Sequence, residues 1–215
     1  MRTVLTLIAF AALSMQAAPT PNVVLILADD LGWGDMSCYQ PGNRFQTPEI
    51  DRIAREGLRM TNAHAPHSVC SPTRYAVLTG RYCWRTFLRE GVLPGYAKPL
   101  IAKRRMTLAS LLKQHGYATG AFGKWHIGMG WTPVKGDPGD FHYGSQIHAS
   151  SSALAAISRR VNHAAPISGG PTDLGFDTFF GTPSNRGRIP VFIRDNRVVG
   201  SPLRNKSGLM KDPTM

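Results

Sequence analysis

Residues 107–126 are the stretch on which the fold prediction depends, and they read TLASLLKQHGYATGAFGKWH. Leucines recur at helical spacing and a glycine follows them, which predicts a helix from about Thr107 to His115. Tyr117 to Phe122 then has the composition of a short strand, and it runs into Gly123-Lys124-Trp125-His126. A helix that leads directly into a strand is one half of an α/β repeat.

The flanking sequence extends this α/β pattern. Residues 23–28 form a continuous apolar run rich in β-branched side chains, which predicts a strand buried on both faces, as in a parallel sheet. Helices are predicted over residues 47–57 and 71–80, each opened by a Pro and closed by a Gly. Later strands are predicted near 177–181 and 191–193. The order strand, helix, helix, helix, strand predicts an α/β fold.

The composition limits the function classes. The chain has 215 residues, and 25 Lys and Arg against 13 Asp and Glu leave a formal net charge of +12. Such a charge fits a nucleic acid, a membrane surface or a sulfated or phosphorylated substrate, and it also fits a basic surface with no dedicated ligand. The basic run at 103–105 has no interleaved aromatics, so we do not predict nucleic-acid binding. Three cysteines are too few for a disulfide scaffold.

Residues 1–18 are predicted to be a secretory signal peptide. Met1-Arg2 gives a positive start, residues 3–15 are largely apolar, and Ala17-Ala18 supplies small side chains. The apolar run is shorter than the roughly 20 residues of a membrane-spanning helix, and we predict no transmembrane segment. The protein is therefore expected to be exported, to the periplasm or the extracellular space. Residues 128–170 lose periodicity and are predicted to form a surface insertion.

Asp29 and Asp30 are candidate metal ligands. They directly follow the predicted strand 23–28, and open α/β sheets place ligands at the carboxyl ends of strands. Adjacent carboxylates repel each other unless a cation lies between them, and Ca²⁺ or Mg²⁺ prefers such oxygen ligands. The alternative is a turn whose two carboxylates face water.

The segment Cys70-Ser71-Pro72-Thr73-Arg74 indicates an oxyanion site. Because Ser71-Pro72 begins a helix, Cys70 is expected at the helix N-terminus, where unpaired N–H groups favour an anion. Arg74 follows one turn later and can reach the same site with a planar cation. The alternative is a buried cysteine with a surface arginine.

Lys124 and His126 flank Trp125 just after a predicted strand. In an extended segment their side chains point to the same side, where a lysine and a histidine suit an anionic substrate and proton transfer. The alternative is a core tryptophan with two solvated neighbours.

Taken together, these residues resemble the N-terminal portion of the formylglycine-dependent, arylsulfatase-like sulfatases. The resemblance covers Pro21 to about Gly130, with weaker similarity around Leu174 to Gly200. The segments that carry it are NVVLILADDLG at residues 22–32, CSPTR at 70–74, LTGR at 78–81 and GKWHIG at 123–128. Each is weak alone, but their order behind an export signal is specific.

The resemblance implies a fold and a chemistry. The fold would be α/β, with a mixed, mostly parallel sheet flanked by helices, as in the alkaline phosphatase superfamily. A separate maturation enzyme would oxidise Cys70 to Cα-formylglycine, whose hydrated aldehyde attacks the sulfur of a sulfate ester. Asp29, Asp30 and the modified Cys70 would bind one Ca²⁺. Arg74 would steady the modified residue, Lys124 would bind a sulfate oxygen, and His126 would orient the hydrated aldehyde.

The resemblance also implies that residues 19–215 are an incomplete, truncated catalytic domain. The family completes its metal site with a later Asp-Asn pair that has no counterpart before Met215. Sulfated small molecules or polysaccharides are the implied substrates. Two alternatives stay open: a phosphoester or phosphonate hydrolase of the same superfamily, which can share the C-x-P-x-R segment, and an inactive, basic polysaccharide-binding fragment.

Overall fold

The computed structural model describes residues 20–136, 156–185, 189 and 191–199. The chain divides into two compact units: an N-terminal unit that ends at Arg59 and a C-terminal unit that begins at Met60. The helices are α1 (Pro48–Glu56), α2 (Cys70–Thr79) and α3 (Leu108–Gln114), and the strands are β1 (Gly120–Lys124), β2 (Thr178–Thr182), β3 (Phe192–Arg194) and β4 (Arg197–Val199). Short 3-10 turns lie at Trp33–Asp35, Cys83–Arg85 and Pro171–Leu174.

In the described part of the chain, no helix is both long and apolar enough to cross a bilayer. The predicted signal peptide lies outside the described residues.

Helix α1 of the N-terminal unit is anchored by the carboxylate of Asp51. This group accepts hydrogen bonds from the Ser37 hydroxyl at 2.7 Å, the Cys38 N–H at 2.8 Å and the Thr47 hydroxyl at 3.0 Å. The bond from Ser37 contributes most to a pKa of Asp51 below its ordinary value, and the other bonds add to it. The helix begins after Thr47 and ends before Gly57, as predicted.

Residues 23–28 do not form the strand that the sequence predicts. They belong to no described strand, and their apolar side chains are exposed, with Val24 at 82% and Ile26 at 80%. Ile53 of α1 is exposed as well. The prediction of a doubly buried strand is wrong for this structure, because a strand needs neighbours for its backbone groups and all described strands begin at Gly120 or later.

The C-terminal unit contains a four-stranded mixed sheet in the order β1-β2-β3-β4. Strands β1 and β2 are parallel, with Gly120 opposite Thr178 and Lys124 opposite Thr182. The β2–β3 and β3–β4 pairs are antiparallel. A mixed sheet with helices confirms the α/β class. Among the described strands, only β1 and β2 pair in parallel. Strand β4 was not predicted.

The core of the C-terminal unit packs around large aromatic and aliphatic side chains. Trp125 meets the rings of Phe176 and Phe179 edge-on, with centroids 6.4 and 6.3 Å apart. Met129, Trp131, Ile157, Val161 and Ile167 are buried in the same core. The prediction of a surface insertion over 128–170 is therefore wrong for the described parts of that range. Their apolar residues contribute to the core although they are not spaced with the period of a helix or a strand.

Helix α3 is held in place at its N-terminus. Thr107 caps the helix by accepting from the Ser110 N–H at 3.0 Å, and the Ser110 hydroxyl accepts from the Thr107 N–H at 2.8 Å. The Thr107 hydroxyl also donates to the Leu174 carbonyl at 2.6 Å. This capping fixes α3 against the turn that precedes β2 and confirms the helix predicted from Thr107.

Asp177 links α3 to the two parallel strands. Its carboxylate pairs with Lys113 of α3 and accepts from the Thr119 N–H at 2.8 Å and the Thr119 hydroxyl at 3.0 Å. The hydrogen bond from Lys113 is the main cause that lowers the pKa of Asp177 to about 2. The charged form is therefore favoured in the folded protein.

The Asp177 contacts predict a pH-dependent contribution to stability. Because the pKa falls from 3.8 to about 2 on folding, the contribution is present above pH 4 and is lost as the pH falls toward 2. Asp177→Asn should lower the melting temperature at pH 7 and give a flatter melting profile between pH 4 and 2. Glu90→Gln, at an exposed position, is the charge-matched control. Parallel profiles for Asp177→Asn and the unsubstituted protein would contradict the assignment.

Candidate active site

Cys70 is the first residue of α2, half-buried and preceded by Val69 as the N-cap. The Nζ of Lys124 donates a hydrogen bond to its Sγ at 3.1 Å. The structure agrees with the prediction that Cys70 lies at a helix N-terminus. The first N–H groups of α2 and the Lys124 ammonium therefore give the surroundings of Sγ a positive potential.

The sequence of α2 sets where the helix begins and ends. Pro72 lies in the first turn, where its missing N–H removes no intrahelical bond. Gly80 follows the last turn with a φ of 64°, a left-handed conformation that favours glycine. Ser71 is fully buried, and its hydroxyl accepts from the Leu93 N–H at 3.0 Å. This bond anchors the N-terminal turn of α2 to the loop around residue 93.

Lys124 is the last residue of β1, at the carboxyl end of the parallel β1–β2 pair. The next residue continues this pairing, because the Trp125 N–H donates to the Thr182 carbonyl at 2.9 Å. Arg74 on α2 donates through Nη1 to the carbonyl oxygen of Lys124. The structure thus brings Cys70, Arg74 and Lys124 together, at the sheet edge where α/β proteins bind ligands.

His126 is buried, with 2% of its surface exposed, and its φ is 57°. A non-glycine residue in the left-handed region is uncommon and is often found at functional sites. Its Nε2 lies 2.8 Å from the Leu93 carbonyl oxygen, and its backbone N–H donates to the Pro183 carbonyl at 3.0 Å. Because a carbonyl only accepts, Nε2 carries the proton, and in the neutral ring Nδ1 is an acceptor.

The Leu93 backbone links the N-terminal turn of α2 to the loop that contains His126. Its N–H donates to the hydroxyl of Ser71, beside Cys70, and its carbonyl accepts from His126. Sequence reasoning missed this link. The only available signal was the position of Ser71 next to Cys70, since a backbone contact leaves no mark on the identity of residue 93.

The prediction that the Lys124 and His126 side chains point to the same side assumed a backbone conformation that the structure does not have. The prediction required an extended backbone through residue 126, but β1 ends at Lys124 and the φ of His126 is positive. Strand alternation therefore stops before His126. Lys124 contacts Sγ of Cys70, whereas His126 contacts the Leu93 carbonyl.

Asp29 and Asp30 lie in the N-terminal unit, where both are exposed. Asp30 has a φ of 61°, a conformation in which aspartate is enriched. Two neighbouring carboxylates have the chemistry that Ca²⁺ prefers, but they supply only part of its usual 6–8 oxygen ligands. Within the described ranges, no three His, Cys, Asp or Glu side chains are grouped to hold a metal ion. Cys70, the third predicted ligand, belongs to the C-terminal unit.

The fold and the site define a class: an α/β protein in which a potential nucleophile at a helix N-terminus is surrounded by cationic groups. The chain belongs to the sulfatase family, whose model matches residues 21–190.

Individual proteins with similar sequences are also named as sulfatases. The N-acetylgalactosamine-6-O-sulfatase of Bacteroides thetaiotaomicron is 38% identical over 186 residues, which cover 86% of this chain and 31% of that protein. Human arylsulfatase A is 44% identical over 125 residues, which cover 58% of this chain and 24% of that protein. The chain therefore spans about a third or less of the length of these relatives.

Solved structures show the same relationship. A sulfatase structure from work on the metabolism of multiple glycosaminoglycans by Bacteroides thetaiotaomicron matches with a TM-score of 0.68 at 35% identity, covering 86% of this chain and 33% of that one. The structure of Ps i-CgsB in complex with k-i-k-neocarrahexaose matches with a TM-score of 0.52 at 27% identity, over 76% of this chain and 28% of that one. In both cases this chain aligns with about a third or less of a longer chain.

Proposed function

We propose that this protein hydrolyses sulfate esters of aryl alcohols or carbohydrates, with Cys70 as the precursor of a formylglycine nucleophile. The observation that carries the proposal is the 3.1 Å contact between Lys124 Nζ and Cys70 Sγ at the N-terminus of α2, in a chain of the sulfatase family. The names of two relatives, an N-acetylgalactosamine-6-O-sulfatase and an arylsulfatase, support both substrate classes.

Cys70 and its neighbours would receive the sulfate group. Formylglycine at position 70, once hydrated, would supply two hydroxyl groups on one carbon. Lys124 and the first N–H groups of α2 would bind the sulfate oxygens and stabilise the negative charge that develops on them. Arg74 would keep the end of β1 in place through the Lys124 carbonyl, which positions the Lys124 side chain.

His126 would orient the hydrated aldehyde, which is the role that the resemblance to the family implies. Its Nε2–H is held by the Leu93 carbonyl, which fixes the tautomer and makes Nδ1 the acceptor atom of the neutral ring. The hydrogen bond from the Leu93 N–H to the Ser71 hydroxyl supports this role, because it holds the residue that accepts from His126. A preorganised acceptor needs no rearrangement during the reaction.

A calcium ion would complete the site. The resemblance to the family implies Asp29, Asp30 and the modified residue 70 as its ligands, and the two carboxylates have the oxygen donors that Ca²⁺ prefers. When bound, Ca²⁺ would supply positive charge that polarises the sulfate oxygens. Because Ca²⁺ usually takes 6–8 oxygen ligands, we expect Asp29 and Asp30 alone to bind it weakly.

Export and maturation are part of the same proposal. The signal-like residues 1–18 support a periplasmic or extracellular location, where sulfated polysaccharides are accessible. The other implied partner is the enzyme that converts Cys70 to formylglycine.

The test combines mass spectrometry with an ester assay. On co-expression with a formylglycine-generating enzyme, the peptide that contains Cys70 should lose the mass difference between a thiol and an aldehyde, while those with Cys38 and Cys83 should not. The converted protein, with Ca²⁺, should release alcohol from an aryl sulfate faster than from the matching aryl phosphate. An unmodified Cys70 would remove the mechanism, and a preference for phosphate would assign a phosphoesterase.

A further inference from the structure

The loop 126–129, which contains His126, is held by the backbone of residues 93–100. Three hydrogen bonds join the two segments, between Leu93 and His126 at 2.8 Å, Ala97 and Met129 at 2.9 Å, and Leu100 and Ile127 at 3.0 Å. A shift of segment 93–100 would therefore move the loop, and with it the His126 ring. The position of His126 depends on what holds segment 93–100.

Tyr96 is a side-chain anchor in the middle of segment 93–100. It is buried, with 2% of its surface exposed, and its ring meets Trp131 edge-on with centroids 5.1 Å apart. Its hydroxyl donates to the Ser158 hydroxyl at 3.0 Å and lies 3.1 Å from Nε2 of His163. The two partners are 62 and 67 positions further along the chain, so this one hydroxyl ties segment 93–100 to a distant part of the fold.

The Tyr96 hydroxyl does more than fill space. A phenylalanine ring would occupy nearly the same volume in the core, whereas a hydrogen bond also fixes direction and distance. Burial raises the pKa of Tyr96 above its ordinary value, so the hydroxyl keeps its proton at neutral pH. Tyr96 lies between Leu93 and Ala97, the residues whose carbonyls accept from His126 and Met129. The anchor therefore acts where segment 93–100 contacts the loop.

We propose that Tyr96 is a positioning residue for the reaction, whose hydroxyl holds the backbone that orients His126. Tyr96 acts through the Leu93 and Ala97 carbonyls, not on the substrate. This inference rests on the proposed function and adds to it a residue outside the group that the sequence indicated.

The test measures amide hydrogen exchange by NMR in the full chain and in Tyr96→Phe. The Met129 N–H, which donates to the Ala97 carbonyl, should exchange about tenfold faster in the variant, because one net hydrogen bond that resists local opening is lost. The Trp125 N–H, which donates to the Thr182 carbonyl next to the β1–β2 pair, should keep its rate. Loss of global stability alone would accelerate both amides equally, and that result would overturn the proposal.

Matched variants separate the hydroxyl from the ring. Tyr75→Phe is the control, because Tyr75 is buried in the same core and its hydroxyl has no hydrogen-bond partner in the part of the chain that the structure describes. It should leave the Met129 exchange rate unchanged. Ser158→Ala should accelerate Met129 exchange less than Tyr96→Phe does, whereas Ser158→Thr keeps a hydroxyl and should restore the rate. An unchanged Met129 rate in Tyr96→Phe would overturn the positioning role.

Hydrolysis of an aryl sulfate after conversion of Cys70 supplies the second readout. Tyr96→Phe should lower kcat about tenfold and change KM by about twofold or less, because a misplaced group costs more in the transition state than in binding. If the ester is hydrolysed and Tyr96→Phe has an unchanged kcat, the positioning role is wrong and the function stands. If Met129 exchange responds as expected while Cys70 stays a thiol, Tyr96 holds the loop and the proposed chemistry is wrong.

Discussion

Cys70→Ala is expected to abolish hydrolysis of a sulfate ester without unfolding the protein. Removing the nucleophile of a hydrolase that works through a covalent intermediate typically lowers turnover by about 10⁶-fold. Position 70 is half-buried in the first turn of α2, and alanine keeps Cβ and has the highest helix propensity. The measurement is the rate of alcohol release from an aryl sulfate, together with a melting curve for each protein.

Cys38→Ala is the matched control for this experiment. Cys38 is also half-buried, but it lies in the N-terminal unit, where its backbone N–H donates to Asp51. Its substitution should leave the rate unchanged. A Cys70→Ala protein that keeps turnover would show that the nucleophile lies elsewhere, and a large fall in its melting temperature would show that Cys70 serves the fold instead.

The elements that sequence analysis predicted well are those with local signals. Helix α3 has its own capping box at Thr107, and α2 has Gly80 in a left-handed conformation after its last turn. Such signals act within one turn of the chain, so no knowledge of distant partners is needed to interpret them.

Predictions that required distant partners were less successful. The run 23–28 is apolar enough for a buried strand, but burial depends on what packs against it, and its side chains are exposed here. Residues 128–136 and 156–170 show the reverse error. Met129 and Trp131 are buried although no periodicity marks them, because irregular segments bury side chains wherever the fold provides a cavity.

The residues of the candidate site also fall into two groups, those that the sequence indicates and those that only the folded structure reveals. Cys70, Arg74 and Lys124 were predicted from residue type and spacing, and the structure brings them together. The contribution of Leu93 is made by its backbone, which every residue type has, so no sequence pattern could indicate it. The positive φ of His126 is likewise a property of the folded loop.

Gly128→Ala is expected to destabilise the C-terminal unit by about 3 kcal/mol or more, through strain and overpacking. Gly128 has a φ of 77°, and a Cβ there would lie 2.0 Å from the carbonyl oxygen of Lys98. The backbone cannot yield easily, because hydrogen bonds flank the contact on both sides: the Leu100 N–H donates to the Ile127 carbonyl at 3.0 Å, and the Met129 N–H donates to the Ala97 carbonyl at 2.9 Å.

Gly116→Ala is the control that separates backbone strain from overpacking in the destabilisation caused by Gly128→Ala. Gly116 has a similar φ of 81°, but a Cβ there would meet nothing within 4 Å, so only the left-handed strain of about 1 kcal/mol applies. Urea unfolding of both variants measures the difference. Equal losses would mean that the Lys98 backbone moves aside at little cost. A larger loss in Gly128→Ala would confirm that the contact with the Lys98 carbonyl adds to the strain of the left-handed backbone.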